Sequence, residues 1–231
     1  MAFPDYVYKF GVQYALSIKN ISNIMTIKTL EIGAFGIQHQ AWLESYFPED
    51  LPDDWRLDYY SHHFKVVLLP VDEWLSVTKD DVTQWLEDVK DEFQFLLAID
   101  NKDINVAAIE QISLIKNVLK KHFSGVVVEV SDGNLNTNLG ALRENSPVFI
   151  DGAKLPDSGY STCWRKQTPT DNAILGFISE QDACNLREIR ACIEMFLAQC
   201  PEHSECYLIF EGASPSTKMM QDTQVIIQML T

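Results

Sequence analysis

Ile32-Gly33-Ala34-Phe35-Gly36-Ile37-Gln38-His39-Gln40-Ala41-Trp42 passes from an apolar segment into a polar loop and closes on Tyr46-Phe47-Pro48. The first part reads as a buried strand and the second as the loop that follows it. Gly33 and Gly36 form only a short G-x-x-G. That spacing fits a tight strand-to-loop passage better than a phosphate cradle, which needs more of the motif than two glycines. Trp42, Tyr46 and Phe47 are expected to pack the loop onto the core, and Pro48 ends any local helical tendency.

The same alternation repeats along the chain. Apolar β-prone runs at Leu30 to Phe35, Lys65 to Leu69, Phe93 to Ile99, Val126 to Val130, Val148 to Asp151, Ala173 to Ile178 and Cys206 to Phe210 predict seven strands separated by amphipathic stretches. This is the pattern of repeated βα units around a parallel sheet. Runs as continuous as Val126-Val127-Val128 fit strands covered on both faces. Thr78 before Asp80 and Asp81 marks a helix start, with Val82, Trp85, Leu86 and Val89 on one stripe. Ser179 to Asp182 is expected to open a helix burying Leu186, Ile189, Ile193, Phe196 and Leu197. A last helix from about Ser216 to Leu230 is expected to turn Val225, Ile226 and Met229 inward.

Composition narrows the function classes. The 231 residues suit one substantial core. Eighteen Lys plus Arg against 33 Asp plus Glu leave a formal charge of -15, which repels phosphate backbones and anionic membranes. Nucleic acid is therefore not an expected partner. With no apolar run of the roughly 18–20 residues that a span needs, and no basic-then-apolar leader, a cytoplasmic, membrane-free protein is expected. Five cysteines scattered through the chain suit free thiols better than a disulfide framework.

Several ordered motifs point to one family. Ile32-Gly33 through Trp42 followed by Tyr46-Phe47-Pro48, Asp58-Tyr59-Tyr60 before Val66-Val67-Leu68, Val128-Glu129-Val130, Ala141-Leu142-Arg143-Glu144 and Phe210-Glu211-Gly212 occur in the order of the YecE-like family. The chain resembles that family from Leu30 to the C-terminus as a divergent, shortened member. The resemblance implies a TIM-barrel-like parallel α/β fold and brings no established activity. Because one helix, about Val106 to His122, fills a gap where the family has a further helix and strand, a seven-stranded or incompletely closed barrel is expected. Residues 1–29 lie outside the family pattern and are expected to form a peripheral or disordered extension. Residues 30–231 are expected to form the barrel domain.

In such barrels, chemistry sits where strands end. Those positions carry Gln38 and His39, Asp72 and Glu73, Asp100, Ser131 and Asp132, Asp151, Ser179 and Glu180, and Glu211. Capping and helix dipoles account for many of these acids. As a group, they would also suit a divalent cation or an acid/base pair.

Polar groups that the family pattern supplies are replaced, by Leu68-Leu69-Pro70, by Ser131 to Leu135 and by Leu175-Gly176-Phe177-Ile178. Apolar side chains cannot move protons, so a degenerate, non-catalytic mouth stripped of the groups needed to move protons is expected. Glu129 and His39 are the candidate catalytic residues should activity remain. Gln38, His39, Trp42, Asp132, Asp151 and Glu211 are the candidate ligand contacts.

No resident cofactor or metal site is expected. The leading reading is a barrel that binds a protein partner, a second copy of itself or a small polar ligand. The competing reading is a metal-assisted hydrolase or isomerase acting on a sugar or phosphate compound. The Cys200-x-x-His203-x-x-Cys206 spacing is short of the four ligands that structural zinc takes.

Overall fold

The computed structural model describes residues 29–131, 134–152, 159–182, 185–202 and 204–230. Its strands are β1 (Thr29–Phe35), β2 (Val66–Leu69), β3 (Gln94–Asp100), β4 (Phe123–Val130), β5 (Val148–Gly152), β6 (Ser161–Thr162), β7 (Trp164–Arg165), β8 (Leu175–Ser179) and β9 (Glu205–Glu211). Every neighbouring pair is parallel, in the order β6-β5-β4-β3-β2-β1-β9-β8-β7. The two outermost strands, β6 and β7, are separated in the chain by Cys163 alone, whose N–H donates to the Ile150 carbonyl at 2.8 Å.

The sheet therefore returns to itself through one continuous stretch, 161–165, as a nearly closed α/β barrel. This corrects the expected count of seven. All seven predicted strands are present, and the remaining gap is filled by residues 161–165, too short to show a strand period of their own. Thr29, assigned to the extension, is the first residue of β1 and pairs with Glu205. The rest of the expected extension, residues 1–28, lies outside the described residues.

The helices are α1 (Trp42–Ser45), α2 (Arg56–Ser61), α3 (Val71–Trp74), α4 (Lys79–Asp88), α5 (Val106–Leu119), α6 (Leu139–Asn145), α7 (Leu186–Leu197) and α8 (Thr217–Leu230). Local chemistry sets their starts. The Thr78 side chain accepts from the Asp81 N–H, and the Asp81 carboxylate accepts from the Thr78 N–H, a full capping box for α4. Asn185 caps α7 through the Arg187 and Glu188 N–H groups.

That helix starts later than Ser179 because the Asp182 carboxylate folds back onto the Ser179 hydroxyl at 2.6 Å, making a separate turn. Leu186 is consequently exposed. In α8 the inward stripe is Met220, Thr223 and Ile227, whereas Val225 and Met229 face out. Thr223 tolerates burial because its hydroxyl donates to the Met219 carbonyl at 2.7 Å.

Alternation along each strand makes two apolar layers. Val66, Leu68, Leu96, Phe149, Phe177 and Ile209 fill the barrel interior. Their neighbours, such as Ile32, Val67, Phe95, Leu97, Val128 and Leu208, pack outward under the helices. At Gly33 a Cβ would come within 2.1 Å of the Val66 carbonyl oxygen, so only glycine allows β1 and β2 this approach. No described helix is long and apolar enough to cross a membrane.

Candidate functional site

The strand register brings the polar strand ends onto one rim. Asp100 lies opposite Glu129, Glu129 opposite Asp151, and Ser179 opposite Glu211. These residues and Arg165 line a cavity of about 680 Å³ whose floor is apolar, with Phe35, Leu68, Ala98, Val127 and Phe177. A volume of this size falls within the roughly 300–1,000 Å³ of small-molecule sites.

Arg165 organises the mouth. Its Nε and Nη2 donate to Asp151 Oδ1 and Oδ2 at 2.7 and 2.6 Å, and its Nη1 and Nη2 donate to Glu211 Oε1 and Oε2 at 2.5 and 3.0 Å. Both contacts are fork-on-carboxylate pairs, the strong geometry for this side chain. The guanidinium also lies over the Phe177 ring, 4.6 Å from its centroid, in the range of a cation–π contact. Burial works against the charge of Arg165, but hydrogen bonds and charge from Asp151 and Glu211 outweigh it and raise its pKa further. These bonds use four of the five guanidinium N–H donors.

Apolar residues form the floor of the mouth, and an ionic triad of Arg165, Asp151 and Glu211 spans its rim. Glu129 stands exposed beside it. Asp100 is tied to Lys102 at 2.8 Å, which with the Lys102 N–H holds its carboxyl below the usual range. With Glu129, Glu180 and the triad, the mouth carries more negative than positive charge.

The structure thus brings together three of the candidate site residues, Glu129, Asp151 and Glu211, and places three others elsewhere. Gln38 turns outward and accepts from Arg56 at 2.9 Å. The His39 ring lies 4.5 Å from that of Trp42, and its Nδ1 is 3.3 Å from the Ala213 carbonyl. Trp42 is buried and donates to the Pro215 carbonyl at 2.8 Å. His39 and Trp42 therefore join the loop after β1 to the loop after β9.

Asp132 and His203 lie outside the described residues. Among the described residues, no group of three or more His, Cys, Asp or Glu side chains is placed to hold a metal ion. His62 and His63 each approach a helical carbonyl one turn back, at 2.8 and 3.1 Å, rather than converging.

A second cavity of about 630 Å³ lies outside the barrel, between the loop after β1 and α4, and is lined by Asp53, Asp54, Asp72, Glu73, Asp81 and Asp88 among others. Glu73 is the notable group there. Burial pushes its pKa up to about 7, although the Ile37 and Gln38 N–H groups donate to it.

Sequence analysis missed Arg165. A signal was present, because Tyr160-Ser161-Thr162-Cys163-Trp164 is rich in β-prone residues. It also sits in a gap of more than 20 residues between predicted strands, longer than a compact domain ordinarily leaves without structure.

The sequence model of a family described as "Protein of unknown function DUF72", the family also called YecE-like, matches residues 31–102. The fold is similar to that of a DUF72 family protein from Thermotoga maritima, with a TM-score of 0.64, 12% identity, and coverage of 87% of this chain and 99% of that one. It is also similar to two structures of a DUF72 family protein from Enterococcus faecalis, with TM-scores of 0.58 and 0.57, 14% identity, and coverage of 87% and 96%. No curated protein matches the chain.

Proposed function

We propose that this DUF72-like barrel is a non-catalytic binding protein whose mouth takes a small polar ligand with an apolar face and a cationic or hydroxyl-rich edge. The observation that carries this reading is the double fork of Arg165 on Asp151 and Glu211. A carboxylate held by a guanidinium stays ionised, which makes it a poor proton donor, its charge is already countered, which makes it a poor metal ligand, and it keeps a lone pair on each oxygen for the donors of a ligand. The apolar floor offers a ligand hydrophobic contact, and Glu129 offers a free-facing acceptor. The excess of negative charge disfavours anions, which weakens the case for a phosphate substrate.

The test is a thermal-shift panel of amines, polyols and anions of matched size. A bound compound at 100 times its Kd adds about 2.7 kcal/mol of stability. Amines or polyols should raise Tm in the wild type and lose most of that effect in Glu129→Gln. Stabilisation by anions alone would overturn the reading. Saturable stabilisation by magnesium, manganese or zinc, accompanied by turnover of a sugar or phosphate ester, would instead establish the metal-assisted enzyme.

The triad itself predicts a further outcome. Arg165→Met leaves Asp151, which is only 6% exposed, facing Glu211 without a counter-charge. It should lower unfolding stability by about 3 kcal/mol in urea titrations, whereas Arg165→Lys should lose less.

A further inference from the structure

A third cavity, of about 510 Å³, opens at the foot of the barrel where β5 and β6 begin, at the end opposite the mouth. Its walls carry Lys116 from the last turn of α5, Arg143 from the last turn of α6, and Ser146 and Tyr160 from the chain entering β5 and β6. Glu144 is the one acidic side chain among the lining residues. In a molecule with a formal charge of -15, the local balance here is positive.

Helix ends account for part of this charge, because cations favour the C-terminal turn. The Lys116 ammonium donates to the Asn145 carbonyl and closes the end of α6, which leaves two of its three N–H donors free. Arg143 has no such task. It is exposed, its guanidinium lies 4.7 Å from the centroid of the Tyr160 ring, in the range of a cation–π contact, and no described carboxylate or carbonyl accepts from it. Stacking holds this fork in place with its donors unspent. Ser146 adds a third group. It is only 6% exposed, and its hydroxyl, closed off from solvent, has no hydrogen-bond partner, whereas buried polar groups are ordinarily paired. Val148, Phe149 and Ile174 give the cavity an apolar side.

We propose that this cavity binds a phosphate monoester, with the phosphoryl group among Lys116, Arg143 and the Ser146 hydroxyl and the organic body against the apolar side. Donors from three separate positions suit an anion with three terminal oxygens, whereas a carboxylate offers two. The volume lies within the roughly 300–1,000 Å³ of small-molecule sites and exceeds what a bare ion fills. The site stands or falls separately from the ligand of the Arg165 mouth, which lies at the other end of the barrel.

The experiment is isothermal titration calorimetry of the full chain with phenyl phosphate, with phenol and inorganic phosphate as controls at matched ionic strength. Phenyl phosphate should bind saturably at one site, inorganic phosphate more weakly, and phenol without saturable heat. Arg143→Gln, a change at an exposed position that leaves the core untouched, should weaken binding roughly 10-fold or more, as expected for the loss of a charge-assisted hydrogen bond. Ser146→Ala should weaken it as well, and Glu144→Gln should tighten it by removing the opposing charge. Glu129→Gln, at the mouth, should leave the affinity unchanged. No saturable binding of phenyl phosphate, an affinity that survives Arg143→Gln, or one that is lost in Glu129→Gln would overturn the proposal.

Discussion

Glu73 shows how one side chain couples a loop to the medium. It sits below the turn where Gly36, at φ 77°, sends the chain outward, and it accepts hydrogen bonds from the Ile37 and Gln38 N–H groups. Burial still dominates and raises its pKa from the ordinary 4.5 to about 7. Because the folded state holds this proton more tightly than the unfolded state, the stabilising contribution is complete below about pH 4.5 and is lost as pH rises through about 7. Over that window, the wild type should lose on the order of 2 kcal/mol relative to Glu73→Gln, measured by urea unfolding at matched pH values. A constant difference between the two proteins would show that Glu73 titrates as an ordinary carboxylate.

The same turn explains why part of the candidate site was legible in sequence and part was not. Glu129, Asp151 and Glu211 lie at or within one residue of the ends of predicted strands with the right parity, and strand register alone delivers them to the mouth. Gln38, His39 and Trp42 also follow a strand, but the turn at Gly36 carries them away to contacts more than 170 positions along the chain for His39 and Trp42. Such distant partners leave no local signature.

Among the elements, the long βα units were readable because periodicity and capping agree, as at Thr78 and Asp81. The short ones were not. In β6 and β7, two residues each are too few to show a period, and their identity comes from the strands on either side. The last helix shows a different failure, since a sequence with apolar residues on neighbouring faces admits more than one inward phase. Its observed phase gives a clear prediction. Ile227→Ala should cost about 2–3 kcal/mol, whereas Met229→Ala, at a side chain 79% exposed, should stay within about 0.5 kcal/mol. Equal losses in chemical denaturation would mean that the helix is rotated from the described position.

At the scale of the whole molecule, the formal charge of -15 acts on every contact. Self-repulsion of that size opposes compaction and is screened by salt. Raising sodium chloride from about 20 mM to 500 mM, a range that shortens the Debye length severalfold, should therefore stabilise the chain. The expected gain is on the order of 1 kcal/mol, or roughly 2–4 °C in Tm for a protein of this length. A fall in Tm would mean that attractive ion pairs such as the Arg165 triad outweigh the repulsion.

A sheet whose two flanks are adjoining links of one backbone also has little to offer a neighbour. Along residues 161–165, the amides and carbonyls that would template another polypeptide are met by the protein's own strand. Crowding or concentration should therefore not recruit a second molecule by strand addition at this seam.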